Sequence, residues 1–161
     1  MKKIICSIFL LIFLSSCSGY KPIFGSTNLQ FEIADHLIEG DKVLGNKIFS
    51  KLERLSKSKK NDQNVTRINI LIRTSKEKKA GAKDSAGNIL NYKITLSTEV
   101  EAIDFVTNDK ILNQTYTSSL NYKVQDQYSD TVKLENKSID DLLNKIFGEL
   151  LIQLSQNIAA K

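Results

Sequence analysis

A chain of 161 residues has the length of one domain. Its net charge of +5, from 23 basic and 18 acidic residues, is too mild for the basic stripe of a nucleic-acid binder. One histidine, His36, has no second histidine with which to share a metal ion, which argues against a metal centre. The chain opens on a short basic start, Met1-Lys2-Lys3. An apolar run follows from Ile4 to Leu14, interrupted only by Ser7, and then Ser15, Ser16 and Cys17. Basic, then apolar, then small is the order of an export signal. The run is too short to span a bilayer, which takes about 20 residues.

Leu14-Ser15-Ser16-Cys17 resembles the lipobox of bacterial lipoproteins. That resemblance implies cleavage just before Cys17, a diacylglyceryl group on its thiol and acylation of the new amine. Each buried methylene contributes about 0.8 kcal/mol, so several acyl chains hold a protein firmly where one does not. The next residue is Ser18 rather than aspartate, which by enterobacterial sorting rules implies the outer membrane. Residues 1–16 are then the signal, and Cys6 leaves with them. The mature chain has no free thiol, hence no disulfide and no cysteine nucleophile. Loss of Lys2 and Lys3, with no acid, lowers the net charge from +5 to +3.

Residues 17–28 read as a lipidated tether, and residues 29–161 as a single domain. Leu29 to Ala34 alternates, with Leu29, Phe31 and Ile33 on one face, which predicts a half-buried strand. His36 to Gly40 is expected to be a connection. From Asp41, a candidate cap, Leu44, Ile48, Leu52 and Leu55 recur at helical spacing with Val43 and Phe49 beside them. The basic run from Lys57 to Asn61 suits the end of that helix. Val65 to Thr74 predicts a second strand, with Ile68, Ile70 and Ile72 on one face. A polar stretch, Ser75 to Asn88, precedes a long strand over Ile89 to Val106 with Tyr92, Ile94, Leu96, Thr98, Val100 and Ala102 in phase. Turn residues Thr107 to Lys110 lead to a fourth strand, Ile111 to Val124, carrying Leu112, Tyr116, Leu120, Tyr122 and Val124 on one face. Tyr128 to Lys137 reads as loop or frayed helix. Ser138-Ile139-Asp140-Asp141 resembles a capping box, followed by an apolar stripe from Ile139 through Leu142, Ile146, Leu150 and Leu154 to Ile158. The order β-α-β-β-β-α, with one apolar face per element, predicts an α+β two-layer sandwich. Two helices should lie on one face of a four-stranded, mostly antiparallel sheet.

No catalytic constellation is present in the sequence. There is no Gly-x-Ser-x-Gly turn and no phosphate-binding glycine loop. Glu99/Glu101 and Asp140/Asp141 sit on a polar strand face and at an expected helix start, where acids are solvated or capping. The chain therefore reads as a non-enzyme without a cofactor or metal. Lys76, Lys78, Lys79 and Lys83 form the one feature with a candidate ligand, set in a polar segment with Gly81. The simplest account is a solvated hairpin flank with lysines guarding an edge. The functional account is an anion site for lipid phosphates.

Two regions together resemble the LptE family of lipopolysaccharide-assembly lipoproteins, in its alphaproteobacterial form. The first is Cys17-Ser18-Gly19-Tyr20-Lys21-Pro22-Ile23-Phe24-Gly25, similar to the family's Cys-Gly-Phe-Arg-Pro-Leu-Tyr-Gly opening with Ser18 inserted. The second is Leu112 to Ile158, a strand ending in Tyr122, a polar stretch with Tyr128-Ser129 and an amphipathic terminal helix. The resemblance implies a lipoprotein on the periplasmic side of the outer membrane. It would plug an LptD-like β-barrel and bind lipopolysaccharide in its transport and assembly. The alternative is another outer-membrane lipoprotein module, a cell-wall synthase activator or an auxiliary lipid-transport component. If Cys17 carries the anchor, Cys17→Ala leaves an uncleaved or soluble precursor. Mass spectrometry of the mature N-terminus should find an acylated Cys17; an unmodified residue other than Cys17 there would defeat the reading.

Overall fold

The structure, a computed structural model, describes residues 31–56 and 65–160. The expected signal over 1–16, Cys17, the tether over 17–28, Leu29 and the basic run from Lys57 to Asn61 lie outside the described residues. The elements are β1 (Phe31–Gly40), α1 (Lys42–Ser56), β2 (Thr66–Ala80), β3 (Asn91–Asp104), β4 (Lys110–Lys123) and α2 (Tyr128–Ala159). The strands lie in the order β1-β2-β3-β4. β1 is parallel to β2, and the other pairings are antiparallel. α1 packs on β1 and β2, and α2 on β4 and β3. This is the expected α+β sandwich, with one core between the helices and one face of the sheet.

β1 runs on through His36 to Gly40 rather than stopping at Ala34. A bulge between Ile33 and Asp35 breaks the alternation, so the strand hides its own continuation. Beyond the bulge, parallel pairing resumes from Asp35 opposite Asn69 to Gly40 opposite Thr74. Gly40 then turns the chain at φ 74°, where a side chain would collide with the Thr74 carbonyl oxygen. Asp41 follows as the helix cap. Its Oδ1 accepts the N–H groups of Val43 (3.1 Å) and Leu44 (3.2 Å), and its own N–H donates to Thr74 O (2.8 Å). Leu44, Ile48 and Leu52 of α1 are buried as expected, whereas Val43 and Leu55 are exposed, by 69% and 38%. Gly45 lets the helix approach β1 closely, since an added Cβ would lie 2.5 Å from Ile38 Cγ2.

β2 is longer than its apolar residues suggest. Ser75 to Ala80 continue the strand, with Lys76 opposite Leu96, Lys78 opposite Ile94 and Ala80 opposite Tyr92. The apolar partners come from β3, so β3 draws a polar segment into the sheet. The lysine segment is therefore mostly strand, not loop. The connection proper is closed by Asp84, whose carboxylate accepts the N–H groups of Ala86 (2.9 Å) and Asn88 (2.8 Å), with Gly87 at φ 87°. Bonds from Asn88 hold the Asp84 carboxyl below its ordinary range.

α2 starts at Tyr128, ten residues before the expected capping box, and Ser138 is buried in mid-helix. The inward stripe continues N-terminally through Thr131, Leu134, Glu135 and Ser138. Three of those four are polar, so periodicity alone misses them. Thr131 Oγ1 is used, accepting the N–H of Gln125 (2.9 Å). With 32 residues the helix is about 48 Å long, the length of the 14-residue strands beneath it. Ile146, Leu150 and Leu154 on it are fully buried. Leu150→Asp places an unpaired charge in that core and should abolish the cooperative thermal transition followed by circular dichroism. Val43→Asp, on the exposed side of α1, should stay within about 0.5 kcal/mol of the parent. An unchanged melting temperature for Leu150→Asp would contradict this packing.

Candidate functional site

With the inner face consumed by the helices, three features remain to meet a partner: the outer sheet face, the lysine segment and a groove between the helices. The outer face is set by strand alternation. Opposite the core positions of β3 and β4 stand the pairs Lys93–Asn121, Thr95–Ser119, Ser97–Thr117, Glu99–Thr115 and Glu101–Asn113. Ser97 and Thr117 share a hydroxyl hydrogen bond (3.2 Å). The charged residues of this face are largely neutralised locally. Arg73 Nε donates to Glu39 (2.8 Å) and its Nη1 to Glu99 (2.5 Å). The hydrogen bond to Glu39, then that to Glu99, raises the Arg73 pKa further. Lys110 lies 3.2 Å from Glu101. The result is a face of hydroxyls, amides and closed ion pairs on β3 and β4, with Lys93 unpaired among the described residues and Leu37, Leu71 and Ile103 as an apolar patch toward β1.

The four candidate lysines do not converge. Lys76 and Lys78 follow Ile68, Ile70 and Ile72 on the helix side of β2, whereas Lys79 takes the outer side and pairs with Glu77 (2.9 Å). Lys83 lies beyond the strand, in a single bridge with Ile89. Lys78 is held in place. Its Nζ lies 2.5 Å from Glu135 of α2 and 4.3 Å from the centroid of the Tyr92 ring. Tyr122 donates its hydroxyl to the same carboxylate oxygen of Glu135 (2.8 Å). The Glu135 and Tyr122 contacts raise the Lys78 pKa. Burial pushes the Glu135 carboxyl upward, but bonds from Lys78 and Tyr122 outweigh it and leave the pKa lowered. Lys78 thus ties β2 to α2.

The third feature was not singled out by sequence. α1 and α2 touch only sparsely, and a groove of about 750 Å³ lies between them. Ile48 and Leu143 line its apolar part, and Lys47, Lys51 and Arg54 supply cations. Lys47 bonds Asp140 across it (2.8 Å), and Lys51 bonds Asn144. The signal was the helical spacing of 47, 51 and 54 beside the apolar stripe of α1. His36 lies away from this groove, stacked on Phe49 with ring centroids 3.9 Å apart. Among the described residues no group of three His, Cys, Asp or Glu side chains is gathered to hold a metal ion. No described helix is long and apolar enough to cross a membrane.

No protein-family model matches the chain, and no curated protein is significantly similar to it. Solved structures are similar. One is an uncharacterized lipoprotein B from Nitrosomonas europaea, 18% identical, with 85% of this chain and 90% of that one covered and a TM-score of 0.59. Another, from Caulobacter crescentus CB15, is provisionally described as a lipoprotein. It is 10% identical, with 84% and 94% covered and a TM-score of 0.56. At such identities the likeness is one of fold.

The Lys78–Glu135 pair generates a pH dependence. Because the Glu135 pKa is lowered on folding, its contribution is present above the unfolded value of about 4.3 and is lost as pH falls through the folded value. Half-exposed pairs contribute about 1 kcal/mol at most. Glu135→Gln should therefore melt below the parent at neutral pH, and the gap should narrow in acid. Melting curves of both proteins across the acid range check this; a gap unchanged in strong acid would show that Glu135 acts only by packing.

Proposed function

We propose that this chain is a lipid-anchored lipoprotein of the outer membrane that seats in the lumen of an LptD-like β-barrel and serves lipopolysaccharide transport as a non-enzymatic partner. The observation that carries this reading is the outer sheet face. The lumen of a membrane barrel is polar. A rigid sandwich whose free face is built mainly of Thr95, Ser97, Thr115, Thr117, Ser119, Asn113 and Asn121 suits such a wall, with Lys93 and Lys123 left to find acceptors on it. The lipobox-like Leu14-Ser15-Ser16-Cys17 and the family-like opening from Cys17 to Gly25 support the anchor and the partner. The fold, shared with structures described as lipoproteins, agrees with them.

Lipopolysaccharide contact is the finer part of the proposal. Lys78 is committed to Glu135 and Lys79 to Glu77, so Lys76 and Lys83 are the freer cations of the four. Ammonium groups bind phosphates as flexible point charges, and exposed ones are screened over about 8 Å at physiological ionic strength. Purification of the tagged chain from its own membranes should bring down a large barrel protein in a complex that survives an unheated denaturing gel. Acylated Cys17 without any barrel partner would instead favour a cell-wall synthase activator or an auxiliary lipid-transport component.

A further inference from the structure

The two edges of the sheet are unequal. β1 carries Glu32, Asp35 and Glu39 and a bulge, the devices by which edge strands avoid pairing. β4 has such devices only at its ends: Lys110 and Lys123 terminate it, and a bulge at Ile111 sits beside Lys110. Between Lys110 and Lys123 it holds no charged residue, no proline and no glycine, and its upper part, from Leu112 to Lys123, pairs with β3 without a break.

Its free backbone groups can be identified. In an antiparallel strand the N–H and C=O of one residue point to the same side, and the sides alternate. Val124 N–H donates to Leu90 O (3.0 Å), toward β3, so the even-numbered positions face β3 and the odd ones face outward. Two side-chain amides bear this out, reaching odd-numbered carbonyls at long range. Gln114 Nε2 donates to Thr115 O (3.5 Å), and Gln125 Nε2 to Lys123 O (3.3 Å). Between those stand-ins, the backbone of Thr117, Ser119 and Asn121 is turned outward with no partner strand among the described residues. On the helix side of the same stretch, Leu120 and Val124 stay exposed, by 37% and 39%, because α2 passes nearer to the middle of the sheet there.

We propose that the β4 edge is a strand-addition site for an extended segment of another protein. Main-chain hydrogen bonds would supply affinity and alternate side chains specificity. The occupant is uncharged along its middle, apolar on the side that covers Leu120 and Val124, and acidic where it meets Lys123. Lys110 already pairs with Glu101, whereas Lys123 has no ion-pair partner among the described residues. A second copy of the chain fits less well. Full-length pairing about a two-fold axis would set Lys110 of one copy opposite Lys123 of the other at both ends, and like charges directly opposite are destabilising. The site follows from the edge alone and does not depend on the barrel reading.

The probe is a synthetic peptide of about a dozen residues, alternating threonine and valine with aspartate at both ends, enough to span Leu112 to Lys123. It is added to the full chain in detergent, and amide hydrogen exchange is followed by NMR. The amides of Thr117, Ser119 and Asn121 should exchange freely in the chain alone and slow by about tenfold or more with peptide. A peptide with lysine ends should bind more weakly at low salt, the difference closing as salt rises. A peptide with two central prolines should give no protection. Ser119→Pro removes an outward N–H and leaves the bonds to β3, so it should fold and lose the peptide. No protection by the aspartate-ended peptide, or equal protection by the proline one, overturns the proposal. So do amides already slow without peptide, since the chain then covers its own edge. Protection that rises with protein concentration alone assigns the edge to a second copy and overturns it as well.

Discussion

The fold depends on the burial of one stripe of α2 against the inner faces of β4 and β3. Ile146, Leu150 and Leu154 belong to the same buried cluster as Ile94, Leu96, Val100 and Ala102, all fully buried or nearly so. A fully buried side chain of this size contributes roughly 1.5–3 kcal/mol, so this interface dominates what holds the sandwich together. Without it, the long β3–β4 hairpin would be marginal, as isolated hairpins are. α1 is half as long as α2 and covers only the end of the sheet that β1 reaches. The other end rests on α2 alone.

That shortfall explains the polar chemistry inside the upper half. α2 reaches β4 at one end through Gln153, which accepts the Tyr116 hydroxyl (2.8 Å), and through Asn157, which donates to Ile111 O (2.8 Å). Toward its start it lies nearer the sheet centre, where Glu135 meets Lys78 of β2 and Tyr122 of β4. An oblique helix cannot cover every strand equally. The ion pair with its two tyrosine rings fills the inner face where apolar side chains run out, and Leu120 and Val124 are left at the margin. The same geometry that closes the core thus leaves an uncharged edge and a hydroxyl-rich outer face to meet other molecules.

Much of this was legible in the sequence. Period-two alternation in β2, β3 and β4 and the period of the α1 stripe reflect burial on one side, which leaves a direct mark on residue order. The Asp41 cap was legible because local backbone bonding demands that residue type. The β3–β4 turn was legible in part: it begins at Phe105 on the Asp104 carboxylate, and Lys110 already belongs to β4. The lower extent of α2 was legible from Ile139 onward. Its first ten residues were not, because Thr131 and Glu135 occupy inward positions, Thr131 bonded to Gln125 just ahead of the helix and Glu135 to Lys78 and Tyr122 on the sheet. The groove cations Lys47, Lys51 and Arg54 were visible as a spacing, but the groove exists only because α1 and α2 stand apart.

By itself the sequence determined the element order, the faces of the strands and the resemblance of the opening segment to a lipobox, since each rests on neighbours in the chain. Tertiary structure decided the continuation of β1 past its bulge, the extension of β2 through its lysines and the separation of those lysines onto two sides of the sheet. Each of these depends on a partner strand or helix that supplies the missing hydrogen bonds, apolar cover or counter-charge. Lys78 shows the difference most plainly. In the sequence it is one cation of a polar run; in the fold, Glu135, 57 positions away, makes it a strut.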